Sequence, residues 1–463
     1  NSVMLLLSTL LEFNSSNNSM QQFIKEIFQA LGCFDFAAAN KFLNRSPKSN
    51  FNVVPIFTIL IKCEQSYTSL EYLKTKLFRK EDYLNTLYTE AINLVKNLSK
   101  LPPPTSVNNG DQLDVELLVD LCNTLQDFIQ TRQSQIKISI LTHFSNINAE
   151  EIVREIERVR NKTEEHRLSE KLGPLGVGVE NELTILKYLF VARKAIVTFN
   201  FKNSTVFLYT ARSKLSSWKE VCSQQVYPEK SSNRNEESTS AFSAFQSFFS
   251  SNSDKQLKNV KRGNISPNNM QWLGKFLSNL TARMTLYFMN VLLEKETVLG
   301  GDLKSLWKKI EVDHHDAIRN FRRKFGTSSS IALIYEVSND VPFYPLGYVC
   351  DGVQYEKPTG LKSFPCIYCY PKDQPPENHM PNIISIMQDK DPKKITPFVR
   401  TAPIHFFDKK VGSAYYFVRI DDFVSLVVIF SEKHSVADSS TSEAIMTLAN
   451  SLSGVDILTS LRD

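Results

Sequence analysis

Ala414-Tyr-Tyr-Phe-Val-Arg-Ile420-Asp-Asp-Phe-Val424-Ser-Leu-Val-Val-Ile-Phe430 is the stretch on which the fold of this chain turns. It holds two runs dense in β-branched and aromatic residues, Ala414 to Ile420 and Val424 to Phe430, split by Asp421-Asp422. Runs of that composition and length read as strands. Upstream, Ile404 to Phe407 is a third run, joined to the first through Asp408 to Gly412. Short polar connections suit antiparallel hairpins, although Asp-Asp is a weaker signal than Asp-Gly, and the three runs predict a meander. Ile331 to Val337 and Ile383 to Met387 read as further strands. A helix over about Asp313 to Phe325 precedes them. A last helix follows, opened by Ser440 with Glu443 three positions on, with Ile445, Leu448 and Leu452 on one face. Helix, strands, helix in that order predict a sheet layer covered on one side.

N-terminal to this region the period changes. From about residue 20 to 225 apolar residues recur at steps of three and four, the spacing that gathers them on one helix face. Cys63, Tyr67, Leu70, Leu73 and Leu77 form one stripe, Leu117, Leu121, Leu125 and Phe128 a second, and Leu208, Ala211, Leu215, Trp218 and Cys222 a third. Asn148 with Glu151 is a capping pair ahead of Ile152, Ile156 and Val159. Pro102-Pro103-Pro104 through Asn108-Asn109-Gly110 reads as a linker, since proline removes donors and Asn-Gly favours a turn. Residues 229–263 are rich in Ser, Asn and charge. They hold too little apolar surface to offset the entropy of ordering, so a disordered insertion is expected. The helical pattern resumes at Leu273, Leu277, Leu280, Met284, Phe288 and Val291. The fold class is therefore α+β: a poorly ordered or docking segment over 1–19, a multi-helix bundle over 20–312 and an α/β domain over 313–463. That last part carries a proline-rich loop at about 338–381 and a mostly antiparallel sheet packed with flanking helices.

At 463 residues the chain can hold more than one core. Hydrophobic residues at 42% and charged residues at 22% are ordinary globular values. A net charge of +5 falls short of the concentrated basic stripe of a nucleic-acid binder. Seven cysteines, an odd number mostly far apart, argue for a reducing compartment rather than a disulfide framework. The apolar runs Val3 to Leu7 and Val53 to Ile61 are far shorter than the roughly 18 residues of a spanning helix. The first run also lacks the basic flank and cleavage site of a signal peptide, which favours a buried or docking helix.

The sharpest metal candidate is Cys366-Ile-Tyr-Cys369 with Cys350 before it and His379 after it. Zinc needs four ligands in a tetrahedron and a Cys-x-x-Cys knuckle supplies two, but neither Cys350 nor His379 has a partner at knuckle spacing. Ordinary loop thiols are the favoured reading, with a zinc-stabilised protein the alternative. Gly173-Pro-Leu-Gly176-Val-Gly178 lacks the Lys-Ser/Thr ending of a P-loop and follows no strand, so it reads as a helix-to-helix turn. His314-His315 are adjacent and point to different helix faces. No Gly-x-Ser-x-Gly or His-Glu-x-x-His motif occurs, no cofactor is indicated, and a non-enzymatic chain is expected. Arg319, Arg322, Arg323 and Lys324 form a basic run that could meet anionic lipid or nucleic acid; a solvated face is the favoured reading. Phe242, Phe245, Phe248 and Phe249 interrupt the polar insertion and would align on a transient helix, either docking in a partner's groove or packing on the chain's own bundle.

Several segments, taken in order, carry a resemblance. They are Tyr67-Thr-Ser-Leu-Glu-Tyr-Leu, Asn148-Ala-Glu-Glu, Ala211-Arg-Ser-Lys-Leu with Trp218, and Trp272-Leu with Tyr287-Phe288. Pro381-Asn-Ile-Ile-Ser-Ile-Met, His405-Phe-Phe-Asp-Lys-Lys-Val and Val427-Val-Ile-Phe complete the set. From about Phe23 onward the chain resembles the KICSTOR complex protein family. The resemblance implies a non-catalytic subunit working with a kaptin-like protein, an integrin-alpha repeat protein and a very large scaffold subunit. It implies a cytoplasmic chain held at the lysosomal membrane peripherally through those partners, where the assembly recruits GATOR. GATOR acts on Rag GTPases, which restrains TOR signalling when amino acids or glucose are scarce. No catalytic, cofactor-binding or nucleic-acid-binding residue is implied, and self-association is left open. The first 19 residues, the insertion and the cysteines at 350–369 depart from the family pattern. The order helix, sheet, helix also resembles the roadblock or longin platforms of GTPase regulators, with the stretch Pro342 to Pro381 in place of one helix.

Overall fold

The computed structural model describes residues 15–46, 53–73, 83–100, 109–143, 149–224, 266–299, 312–388 (apart from 327, 339, 351, 353, 354 and 374), 402–431 and 437–454. The insertion with its four phenylalanines, the Asn148 cap and the three prolines at 102–104 lie outside the described residues.

The helical part runs α1 (Ser15–Gly32), α2 (Phe36–Leu43), α3 (Val54–Thr68), α4 (Tyr83–Ser99), α5 (Asn109–His143), α6 (Ala149–Glu165), the single turn α7 (Leu168–Lys171), α8 (Pro174–Val197) and α9 (Phe201–Gln224). After the insertion come α10 (Asn268–Tyr287), α11 (Met289–Leu299) and α12 (His314–Phe325). The stripes read from the sequence face inward: Cys63, Tyr67, Leu121, Leu125, Phe128, Leu208, Ala211, Leu215 and Trp218 are all buried. Helix α8 is the hub, packing against α1, α6, α7, α9 and α10.

The expected glycine turn is shorter than its motif. Gly173, at φ +53°, supplies the reversal, and α8 already begins at Pro174, where a missing N–H costs nothing. Gly176 and Gly178 are helical. A Cβ on Gly176 would sit 2.1 Å from the Leu168 carbonyl oxygen, so this glycine lets α7 lie against α8. Asn109 and Gly110 likewise begin α5 rather than end a linker.

The sheet contains β1 (Ser329–Tyr335), β2 (Cys366–Tyr370), β3 (Ile404–Asp408), β4 (Ser413–Arg419) and β5 (Val424–Ser431), in the order β2-β1-β5-β4-β3 and antiparallel throughout. The meander β3-β4-β5 is as expected. Three other expectations are corrected. Ile383 to Met387 is not a strand but the end of α13 (Met380–Met387). A short apolar run does not distinguish strand from helix. Here Pro381 fits the first turn, and Met380, Ile383 and Met387 at helical spacing reach one buried face. Conversely Cys366–Tyr370, expected within a loop, is a strand.

The third correction concerns coverage of the sheet. On one face Ile331, Leu333, Tyr416, Leu426 and Val428 join Ile318 and Phe321 of α12 and Ile445, Leu448 and Leu452 of α14 (Ser439–Ser453) in a cluster that continues through the helical part to Phe23. On the other, Ala332, Ile334, Tyr415, Phe417, Val427 and Ile429 are covered by Phe364 and by Met380, Ile383 and Met387 of α13. Both faces are buried, and each large side chain so covered contributes about 1.5–3 kcal/mol. Phe343, from the proline-rich stretch, stacks on Tyr335 with ring centroids 5.1 Å apart. The start of α14 also differs: Asp438, not Ser440, accepts from the Thr441 backbone N–H at 2.8 Å.

Candidate functional site

Two buried ionic clusters hold the arrangement together, and both grow from charged residues that fall on apolar helix stripes. In α5 the stripe Leu125, Phe128, Ile129 continues into Arg132, which is 3% exposed. Its Nε and Nη2 donate to the two oxygens of Glu64 on α3, at 3.1 and 2.7 Å. Its Nη1 donates to Glu182 Oε2 on α8 and to Gln135 Oε1, both at 2.9 Å. Tyr88 Oη donates to Glu64 Oε1 at 2.8 Å and Tyr67 Oη to Glu182 Oε1 at 3.0 Å, and the Tyr67 ring lies 4.4 Å from the guanidinium carbon. Burial, and next the adjacent carboxylates, hold both phenols protonated well above their ordinary range. Beside this cluster is a small cleft walled by Leu70, Leu73, Leu183 and Trp272 and floored by Gln135, Glu182 and Asn269. Its one carboxylate is already committed to Arg132, Tyr67 and, at 3.4 Å, the amides of Gln135 and Asn269. The arrangement ties α3, α5 and α8 together, with Tyr88 of α4 and Asn269 of α10 joined to them.

The second cluster joins the helices to the sheet. Arg283 of α10 is 1% exposed and pairs with Asp421, 3% exposed, at the β4–β5 turn. Tyr287 Oη also donates to Asp421 Oδ2, and Arg283 Nη1 donates to the Ser453 carbonyl at the end of α14 at 3.0 Å. Lost hydration, then the like charge of Arg283, push Arg193 down to about 10. Asp421, read from sequence as a hairpin residue, does turn the chain, but its carboxylate is an anchor. Neither cluster was singled out from the sequence. The signal that could have found them is a charge on an apolar stripe: Arg132 follows Phe128 by four positions, and Arg283 follows Leu280 by three.

Of the candidate metal ligands, Cys366 and Cys369 share a face of β2 and, among the described residues, no third joins them. His379 Nδ1 is 2.7 Å from Tyr415 Oη, and Asn382 bridges that hydroxyl to Asp408. Cys366 and Cys369 lie on β2 and Cys350 is a half-buried free thiol. Among the described residues no three His, Cys, Asp or Glu side chains are gathered so as to hold a metal ion. His314 and His315 are both buried in α12, and burial pushes them down to about 3 and about 4 respectively. In the basic run, Arg319 pairs with Asp316 at 3.1 Å, and Arg322 Nε donates to the Ser329 carbonyl at 2.8 Å with its guanidinium over the Tyr370 ring. Arg323 Nη1 reaches Asn320 at 3.3 Å, Lys324 lies over Phe325, and both head outward on exposed positions. The run is thus divided between internal partners and solvent.

What the sheet presents outward is its edges. Among the described residues β3 pairs only with β4, and Phe406 on it is 41% exposed. A strand edge with unpaired donors and acceptors can accept an extended segment from another chain. Among the described residues no helix is long and apolar enough to cross a membrane.

The sequence profile described as "KICSTOR complex C12orf66 like" matches residues 17–463. KICSTOR subunit 2 of Xenopus laevis is 26% identical over 458 residues, 96% of each chain. KICSTOR subunit 2 of Danio rerio is 24% identical over 454 residues, 95% of each chain. The match takes in the helices, both ionic clusters and the sheet alike, and the chain belongs to the KICSTOR complex C12orf66-like family.

Proposed function

We propose that this chain is a non-catalytic subunit of a KICSTOR-like assembly that recruits GATOR to the lysosomal surface and restrains TOR signalling under amino-acid or glucose starvation. The observation that carries this reading is the family match over residues 17–463, with relatives named as KICSTOR subunits aligned over nearly their whole length. A kaptin-like protein, an integrin-alpha repeat protein and a large scaffold subunit are the partners it implies. The outer edge of β3, unpaired among the described residues, supplies one surface of the kind a subunit needs. The helical part over 20–312 and the sheet part over 313–463 are the two units we assign to this work. The insertion's Phe242, Phe245, Phe248 and Phe249 are a second contact, and deleting residues 238–250 should reduce partner retention while leaving unfolding unchanged.

The test is quantitative capture of a tagged full chain from gently lysed cells, followed by mass spectrometry and lysosome isolation. The three partners and GATOR should be enriched, and lysosomal recovery should fall when the large scaffold subunit is removed. A chain that runs as a monomer under those conditions would overturn the reading.

A further inference from the structure

Among the described residues β2 is an edge strand, and its ladder to β1 slips by one residue: Leu333 faces Tyr368, but Ile334 faces Cys366, leaving Ile367 as the extra residue of a bulge. A bulge sets two successive residues against one on the partner strand. Accordingly Ile367 and Tyr368 both enter the helix-side core. The Ile367 carbonyl, outside the regular ladder, accepts from Asn290 Nδ2 of α11 at 3.4 Å.

This bulge changes what Cys366 and Cys369 can do. Three positions apart in a regular strand they would point to opposite faces. Here they stand opposite Ile334 and Ala332, which share the face covered by α13. Cys366 Sγ donates to the Tyr368 carbonyl at 3.2 Å. Both are half-buried rather than sealed, unlike Cys33, Cys63 and Cys122. The neighbouring Cys366 thiol, and next the positive charge of Lys372, bring Cys369 down to about 7, while Cys369 and burial push Cys366 up. The proton is therefore held more tightly on Cys366 than on Cys369.

We propose that Cys366 and Cys369 form a modification site, a dithiol that small-molecule disulfides of the glutathione class oxidise to a disulfide within β2. The Cys369 thiolate attacks one sulfur of glutathione disulfide, whose S–S bond breaks. A mixed disulfide forms on Cys369 and one glutathione thiolate leaves, taking a proton from water. Cys366 then releases its proton to water and attacks Cys369 Sγ, and the bond to glutathione breaks as the second glutathione thiolate leaves and is protonated. Two cysteine thiols lose two electrons and two protons, and one glutathione disulfide becomes two glutathiones. The bulge places both thiols on one face of the strand, the side from which the second attack comes.

The test equilibrates the full chain in glutathione buffers of increasing glutathione disulfide content, traps free thiols with N-ethylmaleimide and maps the peptides by mass spectrometry. Cys366 and Cys369 should lose labelling together, in a peptide lighter by two hydrogens, and recover it with dithiothreitol. Cys366→Ser should halt at a glutathione adduct on Cys369, and Cys369→Ser should leave Cys366 labelled. In Cys366→Ala the midpoint of the alkylation-rate profile of Cys369 should rise from about 7 toward the ordinary thiol value near 8.5. The proposal is overturned if both stay labelled in the most oxidising buffer. A glutathione adduct that persists on wild-type Cys369, or a Cys366 equally reactive without Cys369, would overturn it as well.

Discussion

Arg132→Met removes the guanidinium at the centre of the α3–α5–α8 cluster while keeping most of the side chain's length. It leaves Glu64, 2% exposed, with the Tyr88 hydroxyl as its remaining donor, and Glu182, 12% exposed, with Tyr67 and two longer amide contacts. Breaking a buried pair by deleting one partner costs about 3–5 kcal/mol, because the surviving charge is uncompensated. Glu64→Gln in the same background relieves the worse of the two stranded carboxylates. The double variant should therefore be more stable than Arg132→Met alone, with a coupling energy of about 2 kcal/mol or more. Urea unfolding followed by far-UV circular dichroism on all four members of the cycle gives these quantities. The reasoning fails if Arg132→Met shifts stability by less than about 1 kcal/mol, or if the two substitutions are additive within about 0.5 kcal/mol.

Asp421→Asn strips the counter-charge from Arg283 and should cost about 3–5 kcal/mol, with faster hydrogen exchange in the β4–β5 turn and at the end of α14 before the α3–α5–α8 cluster opens. Gly176→Ala should destabilise by more than about 2 kcal/mol, since its Cβ would meet the Leu168 carbonyl at 2.1 Å. Gly178→Ala, whose Cβ would rest 3.6 Å from the Trp218 ring, should instead stabilise by up to about 1 kcal/mol through helix propensity. Thermal melts of the two glycine variants separate these signs. His314 and His315, pushed down to about 3 and about 4, stay neutral in the fold while the unfolded chain takes up protons below its ordinary histidine value. Each therefore removes stability as pH falls below about 6.5, at about 1.4 kcal/mol per pH unit. His314→Phe should flatten the slope of unfolding free energy against pH between 6 and 4 by about one such increment, read from denaturant titrations at several pH values.

Wherever periodicity runs long enough, the residue pattern alone identifies helices and strands. Three- and four-residue stripes over α3, α5 and α9, and the paired runs at 414–430, state their own geometry because a repeated spacing admits one regular structure. Short segments do not. Ile383 to Met387 is a five-residue segment, apolar but for Ser385, that either structure could bury, and what made it a helix was the open second face of a sheet assembled from strands on both sides of it in the chain. Cys366–Tyr370 became a strand because β1 offered it a free edge. The same holds for the sites. Glu64, Arg132 and Glu182 come from three helices, Arg283 and Asp421 lie 138 positions apart (421 − 283), and nothing local in either sequence neighbourhood names the partner. The Cys-x-x-Cys spacing was visible at once, but its meaning was set by a one-residue slip in a strand ladder. Local spacing fixes which backbone conformation a segment can repeat. The identity of the groups that meet is decided by long-range packing, where burial makes each unpaired charge too costly to leave alone.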